Sequence, residues 1–286
     1  MKSRGSDRFR ASDLGPSFIR DTSSAFFESA MRCALFLLFS LAAISCAEAR
    51  TIRVMSYNIH VGIGMDKKLD LARIAAVIKR ERAEIVGLQE VDRGVERTGR
   101  VDQIVRLARL TGMDYVFAPN LRYQGGWYGV AILSRFPIVS FEHRRYRNLR
   151  EAERRGFIRA EIAIGDVRLQ FVTTHLDYQF ADGRLFEARQ LLNALDHIRD
   201  PLIVAGDFND EPTGQTYKAM CLALADAWVA RRGPTANGFT FPADEPIKRI
   251  DYVFYRGFDR LRVERAWVVD TPASDHRPVV VEFKLH

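Results

Sequence analysis

Residues 115–174 read YVFAPNLRYQGGWYGVAILSRFPIVSFEHRRYRNLREAERRGFIRAEIAIGDVRLQFVTT. Five short runs rich in β-branched and aromatic residues follow one another within this stretch: Tyr115–Ala118, Val130–Ser134, Ile138–Phe141, Ile158–Ile164 and Leu169–Thr174. Short apolar runs separated by Gly, Pro, Asn and charged clusters are the pattern of strands. Strands that succeed one another in this way do not suit a sheet in which every strand alternates with a helix.

Working outward, Thr51–Asn58 and Glu84–Gln89 precede the stretch as further strands. Between them Asp70 is placed to cap a helix carrying Leu71, Ile74, Ala75 and Ile78 at helical spacing. Val101, Ile104, Val105 and Ala108 mark a second helix, which Gly112 ends. On the C-terminal side, Leu185, Ala188, Leu192 and Leu195 mark a third helix. Pro201–Ala205 has the continuous apolar character of a buried strand, and a fourth helix is expected from about Thr216 to Trp228. Ile250–Tyr255, Val263–Val269 and Val279–Lys284 close the chain as strands. Many strands with few, scattered helices predict an α/β fold of two packed, mostly antiparallel sheets with helices outside. No Pro- or Gly-rich linker interrupts residues 50–286, so one domain is expected there.

The chain has 286 residues, a formal charge of +7 and 47% hydrophobic residues, with no low-complexity tract or internal repeat. This composition suits a globular protein with a substantial core and disfavours a disordered chain. The basic balance is compatible with an anionic partner, either phosphate-bearing or a membrane surface.

Residues 1–49 have a different character. Met31 and Arg32 precede an apolar run from Ala34 to Ile44, and Ala47-Glu48-Ala49 follows as a small-x-small cleavage pattern. The run is shorter than the about 20 residues a spanning helix needs. The reading is a signal peptide cut after Ala49, with translation starting at Met31 and the mature chain exported to the periplasm or medium. Its removal takes six basic and five acidic residues, leaving +6, and leaves Cys221 as the one cysteine, so no intramolecular disulfide is expected.

Polar and ionisable residues recur where the apolar runs end. In order these are Ser56-Tyr57-Asn58-Ile59-His60, Leu88-Gln89-Glu90-Val91-Asp92, Thr173-Thr174-His175-Leu176-Asp177, Gly206-Asp207-Phe208-Asn209, Arg249-Ile250-Asp251-Tyr252 and Ser274-Asp275-His276-Arg277-Pro278. Each alone reads equally well as a strand end, a turn or a hydrogen-bonded histidine. Together they set carboxylates, amides and imidazoles on one rim of a sheet. Oxygen donors without a thiolate cluster favour a hard cation such as Mg²⁺.

The ordered set SYNIH, LQEVD, YGVAILSR, TTHLD, GDFN, RIDYVFY and SDHRPVV resembles the endonuclease/exonuclease/phosphatase superfamily, from about Thr51 to Phe283. That group includes pancreatic-type deoxyribonucleases, apurinic endonucleases, inositol-polyphosphate 5-phosphatases and neutral sphingomyelinases. The resemblance implies a four-layered α/β sandwich and a phosphoester hydrolase dependent on Mg²⁺, with Mn²⁺ as a substitute. It implies Glu90 as the principal metal ligand, with Asn58 beside it and Asp275 at the metal or a second metal position. It implies Asp207 and Asn209 orienting the attacking water, His276 paired with Asp251, and His175 donating to a phosphate oxygen. Asp207 and His276 both stand as the general base, and one or two metal ions are compatible with the set.

His60, Arg97, Trp127 and Tyr128 are further candidates for substrate contact. The arginines at 144, 145, 147, 150, 154, 155 and 159 read as a solvated basic loop rather than a phosphate grip. The expected partner is a phosphate-ester substrate, with nucleic acid or a lipid headgroup as alternatives; no stable protein partner is indicated, and a monomer is expected. From another class, an inactive binding module on the same fold is the competing reading.

Overall fold

The computed structural model describes residues 50–286; the leader expected over residues 1–49 lies outside the described residues. The strands, in chain order, are β1 (Arg50–Asn58), β2 (Ile85–Arg93), β3 (Asp114–Tyr123), β4 (Gly126–Ser134), β5 (Ile138–Arg145), β6 (Gly156–Ile164), β7 (Val167–His175), β8 (Leu202–Asp207), β9 (Ala225–Asp226), β10 (Asp251–Arg256), β11 (Leu261–Val268) and β12 (Val279–Leu285). The helices are α1 (Leu71–Arg80), α2 (Gln103–Thr111), α3 (Ala181–Leu195), α4 (Gln215–Cys221) and α5 (Ala227–Arg232). Among the described residues the strands form two six-stranded sheets, ordered β11-β12-β1-β2-β4-β3 and β5-β6-β7-β8-β10-β9. Both are mixed: β1 pairs with β2, and β7 with β8, in parallel, while the other pairings are antiparallel.

The alternation of side chains along each strand builds the layers. On β1, Ile52 and Val54 face the space between the sheets, and Met55 and Tyr57 face the helices. The inter-sheet core continues through Ile85, Ile132, Ile158, Phe171, Ile203, Val253 and Phe283. A second core sets Leu88 and Val280 against Ile74 and Ile78 of α1 and Ile104 and Leu107 of α2. A third sets Val172, Val204 and Phe254 against Ala188, Leu191 and Leu195 of α3. Central strands are thus buried on both faces, which is why they read as unbroken apolar runs. Burying each large side chain contributes about 1.5–3 kcal/mol, and helices on both outer faces give the four-layered sandwich expected.

Local signals set several boundaries. The Asp70 carboxylate accepts hydrogen bonds from the N–H groups of Ala72 and Arg73 at 2.9 and 3.2 Å, capping α1. Asp102 caps α2 through Val105 N–H, and Gly112 (φ +68°) ends it in the left-handed region. At Gly87 on β2 the two sheets approach closely: a Cβ there would lie 2.6 Å from Thr173 Oγ1.

The expected fourth helix is divided. Residues 215–232 form α4, the short strand β9 and α5, because Asp226 adopts extended backbone and caps a new helix through Trp228 N–H at 2.8 Å. The buried face of α3 runs through Ala188, Leu191 and Leu195, with Leu185 and Leu192 half-buried. Among the described residues no helix is long and apolar enough to cross a membrane.

Glu187 of α3 reaches back to accept the Asp177 N–H at 2.7 Å, tying the helix to the end of TTHLD. Burial pushes its carboxyl up to about 8 from an ordinary 4.5. A folded-state value above the unfolded one favours folding fully below pH 4.5, and that contribution is lost as pH rises toward 8. Glu187→Gln keeps an acceptor without the proton equilibrium. The variant is expected to match wild type near pH 4 and to exceed it at pH 8 by about 1–4 kcal/mol. Thermal unfolding at the two pH values checks this; parallel pH–stability curves would refute it.

Candidate active site

Three ionisable side chains stand in one row across the second sheet. His175 closes β7, Asp207 closes β8 and Asp251 opens β10; the register pairs His175 with Asp207 and Asp207 with Asp251. Neighbours in such a row project to the same face. On the facing sheet Asn58 closes β1, and its Nδ2 donates to Asp207 Oδ2 at 3.0 Å, joining the two rims.

Glu90 reaches the same rim through an irregularity. The β2–β4 register shifts between Leu88 and Val91, and Glu90 adopts φ +57°. A bulge of this kind re-aims a side chain, and here it brings Glu90 Oε1 to 3.0 Å from Asn58 Nδ2. His60, Val61 and Asn209 also lie at positive φ. Left-handed backbone costs a non-glycine residue about 1–2 kcal/mol, and such strain collects where function holds it in place.

The last contribution comes from the segment before β12. Ser274 Oγ donates to Asn58 O at 2.8 Å and anchors the segment to the first sheet. His276 Nδ1 then lies 2.9 Å from Asp251 Oδ2, with its Nε2 3.7 Å from Asp207 Oδ2. Phe241 packs on the imidazole at 4.8 Å between ring centroids. Asp275 Oδ1 lies 3.6 Å from His60 Nδ1 and accepts from Ser274 Oγ at 3.3 Å.

Electrostatics follow from burying these groups together. Burial alone would lower the His276 pKa, but Asp251 and Asp207 outweigh it and raise it to about 10, so the ring is a cation at neutral pH. Burial, reinforced by the Asp251 carboxylate, pushes Asp207 up to about 7 against the opposing pull of His276. His175 is driven well below its ordinary value by burial, then by Arg155 and His276, and is neutral. The rim therefore holds a fixed cation, a carboxylate able to take a proton near neutrality and a neutral imidazole.

Asp207, Asp251 and His276 place ligand-type atoms within 4.8 Å of one another, a candidate metal site. His276 as an imidazolium has no lone pair to offer, and its Nδ1 is engaged by Asp251. The carboxylates left in that group are Asp207 and Asp251, and Glu90 Oε1 shares the Asn58 Nδ2 with Asp207 Oδ2. Asp251 Oδ1 is also buried with no hydrogen-bond partner among the described residues. Such an oxygen-rich, carboxylate-crowded set fits a hard divalent cation. Asn58 fits the role of ligand less well: its Oδ1 accepts the His60 N–H at 3.0 Å, so it turns its nitrogen, a donor, toward both carboxylates.

The family model described as the endonuclease/exonuclease/phosphatase family matches residues 55–276. The chain belongs to this family. Members of the endonuclease/exonuclease/phosphatase family are generally phosphoester hydrolases, and the family is metal-dependent. The chain is similar to YbhP of Escherichia coli strain K12, an uncharacterized protein, with 27% identity over 252 residues, covering 82% of this chain and 97% of YbhP. It is also similar to an endonuclease/exonuclease/phosphatase from Beutenbergia cavernae, at 28% identity and TM-score 0.70, covering 82% of this chain and 72% of that one. A mannosyl-6-phosphatase of Bacteroides thetaiotaomicron shares the fold at 20% identity and TM-score 0.66, covering 81% of this chain and 99% of that one.

Against this family frame, the further candidates separate. His60 stays at the rim beside Asp275. Arg97 is held by its own chain: both its Nε and Nη2 donate to the buried Asp92 carboxylate, and the guanidinium lies over the rings of Tyr123 and Tyr128. Tyr128 is buried, with Glu90 near enough to add to the effect of burial in holding its phenol neutral. Trp127, one residue earlier on the strand, instead lines an open cavity of about 520 Å³ with Arg93 and Phe117.

The basic stretch is not one solvated loop. Arg144 and Arg145 lie on β5 and Arg159 on β6, with Arg159 paired to Glu142. Arg155 is buried, only 3% exposed, and its Nη1 lies 2.6 Å from His175 Nδ1. The sequence pattern grouped this residue with the solvated arginines, and its burial corrects that reading.

Proposed function

We propose that the chain is a Mg²⁺-dependent hydrolase of a phosphodiester or phosphomonoester, acting by direct attack of an activated water. The observation that carries this reading is the environment of Asp207 Oδ2, which lies 3.0 Å from Asn58 Nδ2, 3.4 Å from His175 Nε2 and 3.7 Å from His276 Nε2. Asn58, its two N–H groups on Glu90 and Asp207, holds this carboxylate in place to receive a proton from water, with the imidazoles of His175 and His276 beside it to face the phosphate.

Glu90 and Asp275 would hold the cation. When bound, Mg²⁺ supplies Lewis acidity toward a phosphate oxygen and neutralises charge. Asp207 is the general base, since His276 as a cation has no lone pair to accept a proton. The Asn209 N–H holds Asp207 Oδ1 at 2.9 Å and keeps Oδ2 directed into the site. Asp251 orients His276, whose Nε2–H stabilises the charge that develops on the substrate or leaving oxygen. His175 donates to a non-bridging oxygen. Export of the mature chain remains part of this proposal, on the strength of the leader sequence.

A panel of phosphomonoesters, nucleotide and oligonucleotide diesters and lipid-headgroup diesters, assayed with Mg²⁺, tests the proposal. At least one class is expected to turn over with wild type, and Asp207→Asn is expected to lose roughly 10²–10⁴-fold in kcat. Absence of turnover across the panel would favour the binding-module reading.

A further inference from the structure

The short contact between Arg155 and His175 has a consequence for the proton on the imidazole. Arg155 immediately precedes β6, where the register sets Gly156 opposite His175. Tyr146 N–H donates to Arg155 O at 3.0 Å, fixing the backbone there. A Cβ at position 156 would lie 2.5 Å from Arg144 O and 2.6 Å from Asn120 Oδ1, so only glycine permits this close approach. The buried guanidinium is thereby delivered to the ring of His175, with Glu153 Oε1 3.2 Å from its Nε.

A guanidinium has no acceptor. At 2.6 Å its Nη1–H must meet a lone pair, so His175 Nδ1 carries no proton. A neutral imidazole has a single lone pair of this kind. Asn209 Nδ2 also approaches the ring, 3.1 Å from Nε2, while donating to Leu176 O at 3.0 Å; Asp207 Oδ2, 3.4 Å from Nε2, offers that nitrogen an acceptor. Only one of the two donors can bind the ring lone pair. The charged contact is shorter, and charge-assisted bonds are roughly twice as strong as neutral ones. Double protonation of His175 would set a second buried cation against Arg155.

We infer that Arg155 is a positioning residue: it fixes His175 in the Nε2–H tautomer and aims that N–H at the reaction centre beside Asp207. The functional consequence rests on the phosphohydrolase reading, because a donor at Nε2 is what a phosphate oxygen requires there. With the proton on Nδ1, His175 would present a lone pair to an anionic substrate and repel it.

Ring-¹⁵N spectra of histidine-labelled full-length protein at pH 7 test the tautomer directly, with His175→Gln assigning the signal. In wild type, Nδ1 is expected at the unprotonated position and Nε2 at the protonated one. Arg155→Met is expected to lose this preference, and Arg155→Gln, which can still donate to Nδ1, to keep it. On a phosphoester that wild type turns over, Arg155→Met is expected to lose roughly 10²-fold or more in kcat. A proton on Nδ1, or on both nitrogens, in wild type would overturn the inference, and so would an unchanged tautomer in Arg155→Met. If Arg155→Met fails to fold, the wild-type spectrum still decides. If no phosphoester is hydrolysed and the Nε2–H tautomer is nonetheless found, the positioning stands and the functional reading falls.

Discussion

Replacing His276 by alanine is expected to lower kcat roughly 10²–10⁴-fold, and Asp251→Ala and the double variant are expected to lose nearly the same factor. The 2.9 Å contact between His276 Nδ1 and Asp251 Oδ2 makes the two side chains one unit. Without Asp251 the ring loses the carboxylate that orients it and most favours its cation. Without His276 the paired Asp207 and Asp251 carboxylates face each other without the cation between them. Residues acting as a unit are strongly non-additive when removed together. A double variant whose loss equalled the product of two large single losses would show independent action, and a near-normal kcat in His276→Ala would refute the assignment.

The same pair has a signature independent of turnover. His276 is raised in the folded state from an ordinary 6.5 to about 10. Its contribution to stability is therefore complete below pH 6.5 and is lost as pH rises through about 10. In His276→Ala this part of the decline is expected to vanish. Equilibrium unfolding between those pH values reads it directly.

Chelation is expected to abolish turnover, and Mg²⁺ or Mn²⁺ to restore it. Glu90→Gln is expected to bind Mg²⁺ more weakly and to lose roughly 10²–10³-fold in kcat, the scale of removing one group that stabilises developing charge. Glutamine preserves an acceptor for Asn58 Nδ2 while removing the negative charge. Binding to the folded state alone raises the unfolding temperature with ligand concentration. Wild type is therefore expected to gain thermal stability from Mg²⁺, and Glu90→Gln to gain markedly less at the same concentration. Full activity in excess chelator, with no tightly bound metal by elemental analysis, would sink this prediction. An equal Mg²⁺ shift in both proteins would place the ion elsewhere.

The layer plan was legible in the sequence because its causes are local. Runs such as Val130–Ser134 and Leu202–Ala205 are apolar on successive residues because central strands are covered on both faces. Asp70 and Gly112 announced helix ends because capping needs a particular residue type at a particular place. The division of 215–232 into two helices was obscured, since the pairing of β9 with β10 that interrupts it joins residues far apart in the chain, Asp226 with Phe254. Likewise the motifs SYNIH, LQEVD, TTHLD, GDFN, RIDYVFY and SDHRP carried the identity of the rim, the first four at or just past the end of an apolar strand and the last two at or just before the start of one.

What those endings do to one another was decided by tertiary structure alone. The sequence by itself determined the strand-rich sandwich and the set Asn58, Glu90, His175, Asp207, Asp251 and His276, through patterns within a few residues of each. It did not determine that Arg97 is neutralised by Asp92, that Asn58 turns its nitrogen to the carboxylates, or that Arg155 lies against His175. These depend on strand register, on a bulge at Glu90 and on burial. Hydrogen-bond direction and charge state are set by partners distant in the chain, as with Asn58 and Asp207, 149 residues apart. Local sequence specifies which groups arrive at the rim, and packing specifies which of them keep their protons and where those protons point.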